Sequence, residues 1–394
     1  MAELNGRRLL LLQGPAGPFF ARVAEQLRRA GAEVTKVNFN GGEDLYFRGP
    51  DIVRFRGALP QWPAFFEQLA HERGINGVVL FGDCRPVHRA AIERARALGI
   101  EVFVFEEGYL RPDFVTLERG GVNGHSNIPR DPAFYADVVP EREPPHQPIK
   151  HAFLKSALHT ICYASAAAVL RSRYPEYRHH RDIRPLPQAR LWLRGTLRRV
   201  AHTLRDRELS RQLETHTLGP YFFVPLQVHL DSQLSHSRFT TINQFIREVV
   251  GEFARHAPRD HALIVKLHPM DRPYSDYSVD VEALRLEHGL GERLIYTDVI
   301  NLPAALRGAR GTVVINSTVG LSSLTHGTPV KCLGNAVYDI AGLTHQGSLA
   351  EFFQAPAPVD RTLYKRFRQW LLAQNQLNGS VWSRLHDDPS RLMR

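Results

Sequence analysis

Residues 77–107 read GVVLFGDCRPVHRAAIERARALGIEVFVFEE. Gly77-Val78-Val79-Leu80-Phe81 and Glu101-Val102-Phe103-Val104-Phe105 are short apolar runs without polar alternation. Between them, Val87 to Leu98 has helical period. Such runs suit strands buried on both faces, so strand, helix and strand here imply a parallel sheet covered by helices. Each run ends in polar residues, Gly82-Asp83 and Glu106-Glu107. In parallel α/β sheets those carboxyl ends carry the ligand sites.

The same alternation extends outward. Arg8 to Gln13 reads as a strand, Phe19 to Arg29 as a helix, Glu33 to Phe39 as a strand and Trp62 to His71 as a helix. From Tyr221 it restarts. Strands are expected at Phe222–Val228, Ala262–Leu267, Arg293–Tyr296, Thr312–Ile315 and Pro329–Leu333. Helices are expected at Ile242–Arg255, Asp280–His288, Leu302–Leu306 and Val319–His326. The expected fold is α/β: two Rossmann-like domains facing a cleft, a GT-B-like plan, with a helical Arg-rich middle segment. The expected domains are 1–140, a basic linker over 141–218, and 219–394.

A chain of 394 residues with 43% hydrophobic content can bury two cores without disulfide staples. Its three cysteines, Cys84, Cys162 and Cys332, are scattered and show no metal-binding spacing. The N-terminal apolar run is too short for a signal-peptide core, so a cytoplasmic location is expected. The formal charge of +10 points to anionic partners: nucleic acid, an anionic membrane face or anionic small molecules. No nucleic-acid reader motif is recognisable. In the middle segment, Leu191, Leu193, Leu197, Val200 and Leu204 interleave with arginines. That pattern fits either a helix on anionic lipid or a leucine stripe packed on a domain.

Candidate site residues cluster at strand ends. Lys266 and His268, in VKLHP, end a strand and can donate to an anionic phosphate, with Pro269 fixing the loop. Asn316-Ser317-Thr318 lies between a strand and a helix, where small polar residues cap amides or bind phosphate. Glu106-Glu107 supply carboxylates for base or nucleophile chemistry. Asp83, Arg85 and His88 crowd the neighbouring strand end, with Arg85 suited to a carboxylate. Gln13-Gly14 and Asn38 to Asn40 form two further strand-end loops. No Walker A, GxGxxG or DxD-like motif is present at a strand end.

Together these stretches resemble the bacterial capsule polysaccharide biosynthesis and export family, specifically its single-module β-Kdo transferases, Kdo being 3-deoxy-D-manno-octulosonic acid. The resemblance rests on LQGPAGPFF at Leu12, KVNFNGG at Lys36, LFGDCRPVHR at Leu80, FEEGYLRPD at Phe105 and YRHHR at Tyr177. It continues through FVPLQVHLDSQL at Phe223, VKLHP at Val265, INSTVGLSSL at Ile315, YDIAGLTHQG at Tyr338 and QLNGSVW at Gln376.

The resemblance implies transfer of Kdo from CMP-Kdo to a phosphatidylglycerol-type lipid with retention of the β configuration, starting the capsule linker. It implies a peripheral enzyme on the inner-leaflet surface, working beside other capsule-assembly proteins. Transfer is expected to need no metal or other cofactor. Lys266, His268, Ser317 and Thr318 match positions expected to hold CMP, and Pro269, Asn316 and Gln227 in the same motifs go with them. Glu107 is expected to be the catalytic carboxylate, with Glu106 as its support and His268 stabilising the leaving group. Gln13, Gly14, Asn38, Asn40, Asp83, Arg85, His88 and Arg111 are expected to bind acceptor and sugar. Two other readings stay open: a sialyltransferase-like or other nucleotide-sugar transferase, and a non-catalytic assembly or export protein.

Overall fold

The computed structural model describes residues 4–141, 143, 146–149, 152–179, 185–228, 234 and 236–393. Part of YRHHR, part of FVPLQVHLDSQL, Arg184 and the Pro144-Pro145 pair lie outside the described residues. The chain forms two compact units, 1–127 with 142–188 and 371–394, and 128–141 with 189–370.

The first unit opens with β1 (Arg8–Leu11), α1 (Phe19–Arg29), β2 (Glu33–Asn38), α2 (Gly41–Tyr46), β3 (Ile52–Arg54) and α3 (Trp62–Glu72). It continues through β4 (Gly77–Phe81), α4 (Pro86–Ala97), β5 (Glu101–Glu107), β6 (Phe114–Arg119) and α5 (Ala152–Val169). The second holds most of α6 (Pro185–Arg205), then α7 (Arg207–Thr215), β7 (Tyr221–Pro225), α8 (Ile242–His256), β8 (Ala262–Lys266) and α9 (Ser278–Glu287). There follow β9 (Leu294–Thr297), α10 (Leu302–Gly308), β10 (Gly311–Val314), α11 (Val319–His326), β11 (Val330–Cys332), α12 (Leu349–Gln354) and α13 (Arg361–Gln374). The last strand, β12 (Gln376–Asn378), returns to the first unit.

The two sheets repeat one plan. In the first the order is β12-β6-β5-β4-β1-β2-β3, and in the second β11-β10-β7-β8-β9. The strands β1 to β5, and all five of the second sheet, pair in parallel. Each sheet is therefore Rossmann-like, with the chain reversing direction across the sheet between β1 and β4, and between β7 and β10. Helices cover both faces of the first sheet. Leu9, Leu11, Phe103 and Phe105 pack with α1, whereas Leu10, Leu80, Val102 and Val104 pack with α3 and α4. Strand alternation alone produces that division.

The domain boundaries differ from expectation. Residues 141–218 do not form a separate linker domain: 142–188 join the first unit and 189–218 the second. The C-terminal segment does not stay with the second unit either. Its β12 pairs antiparallel with β6, placing Leu377 opposite Val115. Gln376 Oε1 accepts from Leu110 N at 3.3 Å and Asn378 Nδ2 donates to Asp113 O at 2.8 Å. The QLNGSVW motif thus braces the loop after Glu106-Glu107. Conversely 128–141 pack on the second unit, with the Tyr135 ring edge-on to Phe367 and Trp370.

A close approach fixes Gly320 near the start of α11. A Cβ there would run into the Tyr338 ring, whose hydroxyl donates to Ser317 O. Tyr338 belongs to the YDIAGLTHQG stretch, so that motif supports the Ser317 loop from below. Gly320→Ala is expected to destabilise the protein by about 1–3 kcal/mol through overpacking, read as a lower urea midpoint.

Candidate functional site

In the first unit, candidate groups gather at the β1/β4 reversal. Arg85, at the N-cap position of α4, reaches back across it. Its Nη1 donates to Gly14 O at 3.0 Å and Gln13 O at 3.3 Å. His88 is fully buried and its Nδ1 donates to Gly82 O at 2.6 Å. Burial and the Arg85 charge hold His88 well below the usual imidazole range, so it is neutral.

The two adjacent glutamates part company, because successive strand side chains take opposite faces. Glu106 lies on the face of Val102 and Val104, where a Cβ on Gly82 would sit 3.3 Å from its Oε2. Burial is the main cause that pushes its carboxyl up to about 7, with the Glu107 charge adding to the rise. The Glu107 amide donates to Glu106 Oε1 at 3.0 Å, and that bond, with Arg111 and Arg85, opposes the rise. Glu107 itself is more open and pairs with Arg111 Nη2 at 2.9 Å. The proton-sensitive carboxylate is therefore Glu106, and the ion-paired one Glu107. The sequence expectation gave the catalytic role to Glu107 and the supporting one to Glu106.

Several expected acceptor residues also spend polar atoms on the protein itself. Asp83 does not cap α4; its carboxylate accepts from Val122 N at 3.1 Å, His125 Nδ1 at 3.0 Å and Cys84 Sγ at 3.2 Å. Asn38 is fully buried and donates to Asp44 Oδ1 at 2.8 Å. Asn40 starts α2 by accepting from Gly42 N, while its Nδ2 donates to Tyr163 Oη at 2.7 Å. Gln13 Nε2 donates to Tyr177 Oη at 2.5 Å. Asp83, His88, Asn38, Asn40 and Gln13 thus shape the strand ends from within. Arg111 remains exposed, and Arg85 is partly so.

Sequence reasoning missed the partners that hold this layer. Tyr163 comes from α5 and Tyr177 from the segment after it. Beneath them Lys36 and Glu43 form a buried pair at 2.7 Å, and Glu43 Oε2 also accepts from Phe39 N. A lysine in the strand EVTKVN was the one available signal. It needed a buried anion seven residues on, whose helix was not foreseen.

In the second unit the β7/β10 reversal is closed by a reciprocal pair. Gln227 Nε2 donates to Asn316 Oδ1 at 2.8 Å, and Asn316 N donates to Gln227 Oε1 at 3.3 Å. Beside β7 runs β8, which ends in Lys266. Lys266 is 7% exposed and donates to Leu267 O at 3.1 Å. Burial lowers it to about 8, and Asp298 and Asp206 limit the fall. It is thus charged at neutral pH. His268 Nδ1 accepts from Met270 N at 3.1 Å, so the ring proton sits on Nε2. Pro269 begins the 3₁₀ turn that follows.

At α11 the cap is Ser317: its Oγ accepts from Val319 N at 3.3 Å. Thr318 occupies the N-cap position without a side-chain cap bond. The strand ends of β10, β7 and β8 thus present Asn316, Gln227, Lys266 and His268 along one edge, strand spacing being about 4.8 Å.

A charged layer behind Lys266 also escaped the sequence. Asp298, 1% exposed, accepts from Arg272 Nε at 2.6 Å and Nη2 at 2.8 Å, and from His202 Nδ1 at 2.8 Å. Asp206 accepts from Thr297 Oγ1 and from the amides of Asp298 and Val299, at 2.8–2.9 Å. These contacts bring α6 against the end of β9.

Comparisons with known proteins concern the chain as a whole. The profile of the family described as "Capsule polysaccharide biosynthesis protein" matches residues 76–382. The capsule polysaccharide export protein KpsS of Escherichia coli is 40% identical over 378 residues, 95% of this chain and 97% of that protein. The capsule polysaccharide modification protein LipB of Neisseria meningitidis serogroup A is 39% identical over 391 residues, 97% of this chain and 93% of that protein. Among solved structures, the beta Kdo 2,7 transferase KpsC of Thermosulfurimonas dismutans gives a TM-score of 0.42 at 15% identity, over 91% of this chain and 98% of that one. Among the described residues, no helix is long and apolar enough to cross a membrane.

Proposed function

The chain belongs to the capsule polysaccharide biosynthesis protein family, and from that premise we propose that it is a glycosyltransferase moving Kdo from CMP-Kdo to a phosphatidylglycerol-type lipid. The observation that carries the reading is the cationic edge of the second sheet. Lys266, charged at neutral pH, ends β8, and His268, with its proton on Nε2, stands two residues on. Both are donors, suited to the charge that grows on phosphate as CMP departs. Gln227, Asn316, Ser317 and Thr318 flank them on the adjoining strand ends.

Within the first unit the proposed acid–base group is Glu106. In the transfer, the bond from the Kdo anomeric carbon to the phosphate oxygen breaks and one to the acceptor oxygen forms, with net retention of the β configuration. The acceptor hydroxyl proton passes to ionised Glu106. Arg85 and Arg111 are the cations beside it that can hold the sugar carboxylate. CMP-Kdo is a substrate in this scheme, and neither a metal nor another cofactor is assigned a role.

Two tests follow. His268→Ala should lower turnover about 10²–10³-fold, the usual size for one oxyanion donor, with an unchanged circular-dichroism melt. Near-full activity would remove its phosphate role. The pH profile should be bell-shaped. It rises as Glu106 ionises near 7 and falls as Lys266 loses its proton near 8. A flat profile across that range would detach both groups from the reaction.

A further inference from the structure

Helix α6 is amphipathic in the reverse sense. A surface helix ordinarily turns its apolar stripe to the core and its charges to water. In α6 two polar residues, Arg198 and His202, face inward. Arg198 donates to Arg272 O, Ser275 O and Asp276 Oδ2 at 3.0–3.3 Å, and His202 donates to Asp298. The apolar stripe points away: Leu193, Leu197, Val200 and Leu204 are 62%, 63%, 59% and 71% exposed. These positions recur at i, i+4, i+7 and i+11, one continuous helix face. Of the five residues of the expected stripe, Leu191 is half-buried, while the other four are exposed rather than packed on a domain.

Charge decides what covers the stripe. The helix sequence PLPQARLWLRGTLRRVAHTLR contains five arginines and no acidic residue. Arg190 lies at one end of the stripe, Arg194 and Arg199 lie to its two sides, and all three are exposed. Trp192, 40% exposed, stands beside it. Leucines bordered by arginine and tryptophan match the boundary of an anionic bilayer, where apolar side chains enter and cations meet phosphates. In the first unit α5 also turns apolar residues outward, Leu154, Leu158, Ile161 and Val169, and has no acidic residue.

We propose that α6 is a membrane-docking helix that seats its Leu193–Leu204 stripe in an anionic lipid surface. The inference deepens the transferase reading, since a lipid acceptor is presented at such a surface, but it stands on the helix itself.

The test is flotation of the full-length protein with vesicles of phosphatidylglycerol and phosphatidylethanolamine, against phosphatidylcholine alone. The wild type should float with the anionic vesicles and lose binding in high salt. Replacing Leu193, Leu197, Val200 and Leu204 together with Ser should abolish flotation, and the melt should hold because these side chains are exposed. Arg190→Gln, Arg194→Gln and Arg199→Gln should each weaken partitioning by about fivefold, an arm that leaves the stripe intact.

Absence of binding to anionic vesicles, or flotation unchanged in the serine variant, overturns the proposal. So does a serine variant that only converts a dimer to a monomer, which would give the stripe to a second copy. Turnover of CMP-Kdo on a short-chain soluble acceptor separates the two readings. The serine variant should keep it, whereas a wild type without it counts against the transferase reading and leaves flotation to decide this one.

Discussion

Glu106→Gln should give a protein that is nearly inactive yet more stable than the wild type above neutral pH. The loss of turnover should be about 10²–10⁴-fold, the contribution of a positioned base. The gain in stability follows from proton linkage. The folded carboxyl titrates at about 7 and the unfolded one at about 4.5. Below both values each state holds the proton and nothing changes. Between them the unfolded chain has released its proton while the folded one keeps it, so stability falls as pH rises through that window. The full loss is up to about 3 kcal/mol. Glutamine stays neutral and escapes it. Urea midpoints of the two proteins should therefore coincide near pH 4 and separate by pH 8, with the variant higher. Glu107→Gln should cost less activity, because Glu107 is half-exposed and tied to Arg111. An active Glu106→Gln beside an inactive Glu107→Gln would restore the assignment expected from the sequence.

Asp298→Ala should be among the most destabilising single changes in the second unit. It strips Arg272 of both its carboxylate bonds and His202 of its own, inside a buried layer. Removing one partner of a buried pair typically costs about 3–5 kcal/mol. The sign of its pH dependence is opposite to that of Glu106. Hydrogen bonds from Arg272 and His202 hold the Asp298 carboxyl below its ordinary value, against the desolvation that burial imposes. The stabilisation is present above the unfolded value of 3.8 and fades as pH drops through the lower folded one. The gap between wild type and variant in urea should therefore narrow on acidification. Asp298 also supports the charge on Lys266. In a variant that folds, the alkaline limb of donor binding should move below about 8; an unmoved limb would separate the two groups.

The residues that were legible in advance share a local signature. The limits Phe19–Arg29 and Val319–His326 were readable because apolar period, glycine and small polar residues mark both ends. The strand-end placement of Lys266, His268, Glu106 and Asn316 was readable because each closes an apolar run. Residues whose meaning depends on distant partners were not. Gln13 and Tyr177 lie 164 positions apart, and Thr116 and Gln376 lie 260 apart. The strand FVTLER is short and half polar, so its antiparallel return, and the crossing of the C-terminus to the first sheet, left no local mark. The contrast between Glu106 and Glu107 was only half visible. Alternation requires opposite faces, but which face is the drier depends on α3 and α4.

The measurement that bears most directly on the account is the nucleotide released by the full-length protein. It would be incubated with in situ-generated CMP-Kdo, other CMP- and UDP-linked sugars, and a fluorescent phosphatidylglycerol acceptor. The account predicts CMP release together with a lipid carrying one β-Kdo, both lost in His268→Ala. Release of UDP instead, or no transfer from any donor by folded protein, would contradict it.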